Sequence, residues 1–290
     1  MKMEGIFPAV LTPFGGDGSV DVDRFERHVD RLYAAGVNGI MIGGNAGEWP
    51  SLTVEERELL TSAGVRQSRG RGKTIVHIGC LRVRDALRLA EHAARAGADA
   101  VSSLPPCMMR CNPAEVRHYF DAVASASGLP FFIYYFPSLT GGACGEPFFS
   151  NARGIAGLAG YKFTDASLFD LQTLLEDGLA VFNGHDPNLK AALLMGAVGG
   201  IGSFYNVLPR HAARIYAACR SGDFECAERM QREMNRVIRT VRKFRLIPAL
   251  KFIAGLQGMD LGEMREPLLP LSAGEQREVA KEVEWLLAAH

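Results

Sequence analysis

Ala35-Gly36-Val37-Asn38-Gly39-Ile40 and Ala96-Gly97-Ala98-Asp99-Ala100-Val101 are two near-repeats on which the fold turns. Each joins the tail of an amphipathic run to the head of a short apolar one. The glycine can take the left-handed conformation that ends a helix, and the apolar residues after it begin a buried strand. Outward from these junctions the same alternation continues, with candidate strands at 5–12, 37–43, 74–79, 98–104, 130–135, 157–163, 179–183 and 197–204. Between them, Phe25, Val29, Leu32 and Tyr33 recur at helical spacing in 22–35, as do Leu87, Ala90 and Ala94 in 86–96. Thr53 with Glu56, and Asn112-Pro113 ahead of Glu115, mark helix starts. Eight β/α units in about 215 residues predict a (β/α)8 TIM barrel, with an open doubly wound sheet as the alternative. After Leu208 the pattern is helical only, over 209–219, 224–244, 248–256 and 274–289. The reading is a barrel over 1–220 with a C-terminal helical extension, 221–290, packed on it.

Composition narrows the partners. Lysines plus arginines equal aspartates plus glutamates at 32 each, so the formal net charge is zero. No long-range field draws in nucleic acid or an anionic membrane, and a small-molecule partner is favoured. The first eleven residues carry one lysine, and Pro8 and Pro13 interrupt the apolar stretch, which reads as a first strand and not a signal or spanning helix. The six cysteines, Cys80, Cys107, Cys111, Cys144, Cys219 and Cys226, form no CxxC pair. They read as reduced thiols in a cytoplasmic protein.

Barrel active sites lie at the carboxyl ends of the strands, so polar residues that close an apolar run are the candidates. Among the lysines only Lys162 does this, after Gly157-Leu158-Ala159-Gly160-Tyr161 and before Phe163. Desolvation there would lower its pKa toward what a nucleophilic amine needs. The competing reading is a structural lysine paired with Asp165 at the rim. Lys251 has apolar neighbours too, but on a helix, where it is expected to snorkel to solvent. Tyr134 ends the preceding strand, and since adjacent side chains alternate, only one of Tyr134 and Tyr135 can face inward. A buried aromatic with a backbone partner would explain Tyr134 equally. The loop Gly43-Gly44-Asn45-Ala46-Gly47-Glu48 is rich enough in glycine to turn N–H groups onto a carboxylate, although a plain tight turn fits as well. Ser203, after the glycines of the last strand, would reach the barrel mouth. His185 reads as rim polarity, Cys107 and Cys111 as structural thiols, and Arg236, Arg239, Arg242 and Arg245 as a solvated stripe or subunit contact.

Taken in order, these segments resemble the dihydrodipicolinate synthase and N-acetylneuraminate lyase family of pyruvate-dependent class I aldolases. The resemblance runs from Pro8-Ala9-Val10-Leu11-Thr12-Pro13-Phe14 through Gly44-Asn45-Ala46-Gly47-Glu48, Tyr134-Tyr135-Phe136-Pro137-Ser138-Leu139-Thr140-Gly141 and Tyr161-Lys162-Phe163-Thr164-Asp165 to Gly200-Ile201-Gly202-Ser203-Phe204-Tyr205-Asn206. It implies that Lys162 forms an imine with a 2-oxo acid and that Tyr134, three positions before Pro137, is the acid and base. It also implies a homotetramer. The lyase branch is the closer match. The arginine that the synthase branch places two positions after the proline is Leu139 here, and Asn183-Gly184-His185-Asp186 follows the lyase pattern. By that match Thr164, Gly184, Asp186 and Ser203 would bind the hydroxylated tail of a sugar acid.

Three departures accompany the match. Asn45 and Ala46 replace two hydroxyl residues of the carboxylate loop, which leaves pyruvate's carboxylate to backbone N–H groups and the Asn45 amide. Pro187 stands where the lyases carry a glutamate. Cys107 and Met108 replace an aromatic pair that serves a relay through a neighbouring subunit. The activity expected is cleavage of a 2-oxo acid or sugar acid to pyruvate and an aldehyde, with no metal or organic cofactor required. The alternatives are dehydration of a 2-keto-3-deoxy sugar acid through the same imine, and a non-catalytic 2-oxo acid sensor or scaffold.

Overall fold

The computed structural model describes residues 2–106, 108–109, 111–141 and 145–287, residue 146 in its backbone only. The chain begins β1 (Gly5–Pro8), α1 (Val22–Ala34), β2 (Gly39–Ile42), α2 (Val54–Ser68), β3 (Lys73–His77), α3 (Val83–Ala96), β4 (Ala100–Ser103) and α4 (Pro113–Ser127). It continues through β5 (Phe131–Tyr135), two short helices α5 (Pro137–Thr140) and α6 (Glu146–Ala152), β6 (Leu158–Phe163), α7 (Leu168–Glu176), β7 (Ala180–Asn183), α8 (Leu189–Met195) and β8 (Gly199–Gly202). The helices α9 (Pro209–Ser221), α10 (Phe224–Val241), α11 (Leu246–Leu256) and α12 (Ala273–Leu287) follow.

All eight strands are parallel, in the order β1-β8-β7-β6-β5-β4-β3-β2. A parallel bridge between Ala9 and Met41, with Val10 N donating to Met41 O at 2.9 Å, brings β1 against β2 and makes the sheet a (β/α)8 barrel rather than an open one. Both junction glycines are left-handed, Gly36 at φ 91° and Gly97 at φ 89°. Thr53 with Glu56 and Asn112 with Glu115 form reciprocal capping boxes.

The strands are shorter than the apolar runs that announce them, because the chain leaves the ladder while still buried. Past Pro8, for example, the Leu11 N–H goes to the Asn206 side chain at 3.1 Å instead of to a neighbouring strand. The ends of the runs thus become the loops over the barrel mouth. Inside, Phe182 meets Phe7 and Phe132 edge-on, with ring centres 5.1 and 5.7 Å away, and these rings fill the barrel near Lys162, the register neighbour of Phe182. The layer is a packed core and not a pore.

In the C-terminal helices, α10 stops at Val241 and α11 begins at Leu246, with Pro248 in its first turn, where a missing N–H leaves no intrahelical bond unmade. The end of the last expected helix, residues 288–289, lies outside the described residues. Lys251 corrects the expectation of a snorkelling side chain. It is buried, and its Nζ lies 2.9 Å from Oε1 of the equally buried Glu48 and donates to Glu263 O at 2.9 Å. A cation with a buried carboxylate within reach has no need of solvent. Cys80, Cys111, Cys219 and Cys226 are free thiols, and Cys107 and Cys144 lie outside the described residues. Among the described residues no helix is long and apolar enough to cross a membrane.

Candidate active site

A cavity of about 350 Å³ opens at the carboxyl ends of the strands, and all eight residues singled out in the sequence line it: Asn45, Ala46, Tyr134, Lys162, Thr164, Gly184, Asp186 and Ser203. Strand ends supply the inner wall. Ile238, Val241, Arg242, Phe244 and Leu246, from the end of α10 to the start of α11, supply another.

Lys162 sits in register between Tyr134 of β5 and Phe182 of β7, and is 4% exposed. Its Nζ lies 3.8 Å from the centre of the Tyr134 ring and 3.4 Å from Met41 Sδ. Neither neighbour replaces the water that an ammonium loses on burial, so the amine is pushed down to about 7, with the Asp186 charge pulling it the other way. The pairing with Asp165 is not formed: that carboxylate accepts from Ser167 N at 2.8 Å.

Strand alternation separates the two tyrosines. Tyr135 packs outside the barrel against Phe148, Phe149 and Phe163, and its hydroxyl accepts from Gly145 N at 3.1 Å. Tyr134 lines the cavity, stacks on Phe136 with ring centres 5.8 Å apart, and meets the His77 ring edge-on at 5.7 Å. Burial raises its phenol well above the ordinary range, with the neighbouring Thr164 side chain opposing the rise and the Asp186 charge adding to it. Tyr134 is therefore held in its protonated form.

Asp186 opens the turn after β7 and is buried, which pushes its carboxyl up to about 6. Phe204 N donates to its Oδ2 at 3.0 Å and opposes the rise, as do Lys162 and Ser203 N. Glycine at 202 makes this possible, since a Cβ there would occupy the space of the Asp186 carboxyl. Gly184 does the same for the Thr164 hydroxyl.

The loop after β2 is a tight turn and an open one at once. Gly47 N and Glu48 N are spent on Gly44 O and Asn45 O at 3.0 and 3.1 Å, whereas the leading N–H groups, on Asn45 and Ala46, have no acceptor within the turn. Glu48 closes it in the left-handed conformation, φ 57° and ψ 35°, which is unfavourable for a residue with a Cβ. The buried bond to Lys251, with Arg265 N 3.3 Å from Glu48 Oε2, holds it there.

Two features went unread in the sequence, and a third was read without its place at the cavity. His77 ends β3 beside Tyr134, where the rule that selected Lys162 would have found it. It is buried, its Nε2 has no hydrogen-bond partner among the described residues, and burial with the nearby Arg57 and Lys162 charges keeps it neutral. Met41 packs on the amine. Arg242, assigned to a solvated stripe, is exposed but lines the cavity, with Nη2 3.4 Å from His185 Nε2. The position of Cys107 lies outside the described residues, and Met108 is exposed, with φ 74°.

A sequence model of the Dihydrodipicolinate synthetase family matches residues 2–286. The N-acetylneuraminate lyase of Rhizobium meliloti is 32% identical over 291 residues, covering 99% of this chain and 97% of that protein. Among solved structures, the N-acetylneuraminate lyase of Proteus mirabilis superposes with a TM-score of 0.91 at 27% identity, over 98% of this chain and 99% of the other. The wild-type sialic acid aldolase of Ruminococcus gnavus shares the fold, with a TM-score of 0.95 at 24% identity over 100% and 98% of the two chains.

Proposed function

The chain belongs to the dihydrodipicolinate synthetase family and is a lyase of the class I aldolase type, and from that premise we propose that it cleaves a 2-oxo acid to pyruvate and an aldehyde through an imine on Lys162. The observation that carries this reading is the buried amine, pushed to about 7 and seated 3.8 Å from the centre of the Tyr134 ring in a cavity at the barrel mouth.

In the proposed reaction the neutral amine attacks C2 of the 2-oxo acid and water leaves, giving a protonated imine. The C3–C4 bond then breaks and its electron pair moves into the imine, forming an enamine. The C4 hydroxyl gives up its proton and becomes the aldehyde carbonyl. Tyr134, held protonated, takes that proton only while passing its own on, and a proton is returned to C3 of the enamine, so the phenol ends the turnover as it began. Protonation of the enamine at C3 and hydrolysis return the amine and release pyruvate. The N–H groups of Asn45 and Ala46 would hold the carboxylate, and Thr164, Gly184, Asp186 and Ser203 the hydroxylated tail. The same reading takes the protein as a cytoplasmic homotetramer, with residues 1–220 as the barrel and 221–290 as its helical extension.

Incubation with pyruvate and borohydride tests it: the expected result is added mass at Lys162, and an unmodified lysine overturns the imine. Release of free pyruvate from a 2-keto-3-deoxy acid marks cleavage, loss of water marks a dehydratase, and saturable binding without turnover marks a sensor.

A further inference from the structure

The cavity mouth carries a positive charge that the chemistry at Lys162 does not use. Arg242 forms the C-cap of α10, and among the described residues it makes no ion pair. Its polar contact is with His185, Nη2 to Nε2 at 3.4 Å. A guanidinium can only donate, so the imidazole accepts at Nε2 and carries its proton on Nδ1. That Nδ1 is buried and has no partner among the described residues. Arg242, oriented by His185, thus holds donors at the cavity that the protein leaves unspent. The carboxylate lining this cavity, Asp186, is buried and already takes the Phe204 N–H. The next residue is Pro187, where the resembling lyases carry a glutamate, so an anion is missing where a cation stands. Leu139 occupies the place of the synthase arginine, and a second anion would have to be read from another wall.

We infer that the aldehyde half of the substrate ends in an anionic group, carboxylate or phosphate, which Arg242 binds with the help of His185. This rests on the imine reading above and names the class of its substrate: a 2-oxo acid with a second anion at the end remote from the imine. Arginine suits the role, since its planar fork meets both oxygens of either group.

The test runs the reaction toward condensation, with pyruvate and three aldehydes: glyceraldehyde, succinic semialdehyde and glyceraldehyde 3-phosphate. In the wild type, kcat/KM for at least one anionic aldehyde exceeds that for glyceraldehyde by about tenfold or more, as expected for a charge-assisted bond at an exposed mouth. Which anion leads distinguishes carboxylate from phosphate. Arg242→Ala brings the ratio close to one, Arg242→Lys keeps part of it, and added salt shrinks it. A wild-type ratio near one, or a ratio that survives Arg242→Ala, overturns the inference while the borohydride adduct on Lys162 leaves the imine standing. Absence of that adduct overturns both.

Discussion

Nζ of Lys162 stands over the face of the Tyr134 ring, 3.8 Å from its centre, so the group proposed to attack the substrate and the group proposed to move the proton share one dry pocket. Burial favours the uncharged amine, and that has a measurable pH signature. The folded value is lowered from 10.5 to about 7, so the amine is protonated below about 7 and free above it. The rate of borohydride-trappable imine formation with pyruvate should therefore rise about tenfold per pH unit below 7 and level off above. A rate still climbing at pH 9 would show a solvated lysine.

Asp186 opposes that shift, since its charge favours the ammonium. Asp186→Asn should move the inflection to lower pH and still accept from Phe204 N, so the turn survives. An inflection that stays put or moves upward contradicts the coupling.

Tyr134→Phe keeps the ring against Lys162 and removes only the hydroxyl. Turnover should fall by about 10²–10⁴, the usual contribution of a positioned acid or base, while pyruvate is still trapped on Lys162. Equal loss of trapping and turnover would make the tyrosine a packing residue.

The Glu48–Lys251 pair is 2.9 Å long with both side chains almost fully buried. Glu48→Gln leaves an ammonium without its counter-charge, and the fold should lose about 3–5 kcal/mol. Adding Lys251→Met should recover most of that, since a paired and an apolar core are often of similar stability. Urea denaturation of the wild type and the two variants measures both. A single variant that costs less than about 1 kcal/mol would place the pair in water.

The barrel was legible because its signals are local: a glycine at the end of each of two helices, an apolar run after it, and a capping pair before the next helix. Lys162 stood out as the lysine that closes such a run, and Tyr134 and Ser203 by the same rule. What stayed hidden depends on distant parts of the chain. Nothing around Lys251 announces that Glu48, far back in the sequence, is buried against it. Arg242 shares its helical spacing with Arg236 and Arg239, and only the turn between α10 and α11 sets it apart by bringing it over the cavity. His77 is the exception, a strand-end residue that the local rule covers. Asp186 was placed by resemblance alone, since neither its burial nor the room that Gly202 gives it can be read from neighbouring residues.

The wall made by Ile238, Val241, Arg242, Phe244 and Leu246 belongs to a part of the chain that contributes no strand. On the proposed reading the barrel keeps its lysine dry and holds the hydroxylated tail, and the helical stretch adds its own shape and charge to what the mouth admits. Exchanging that stretch's residues would retune the enzyme toward new aldehydes without disturbing the amine beneath.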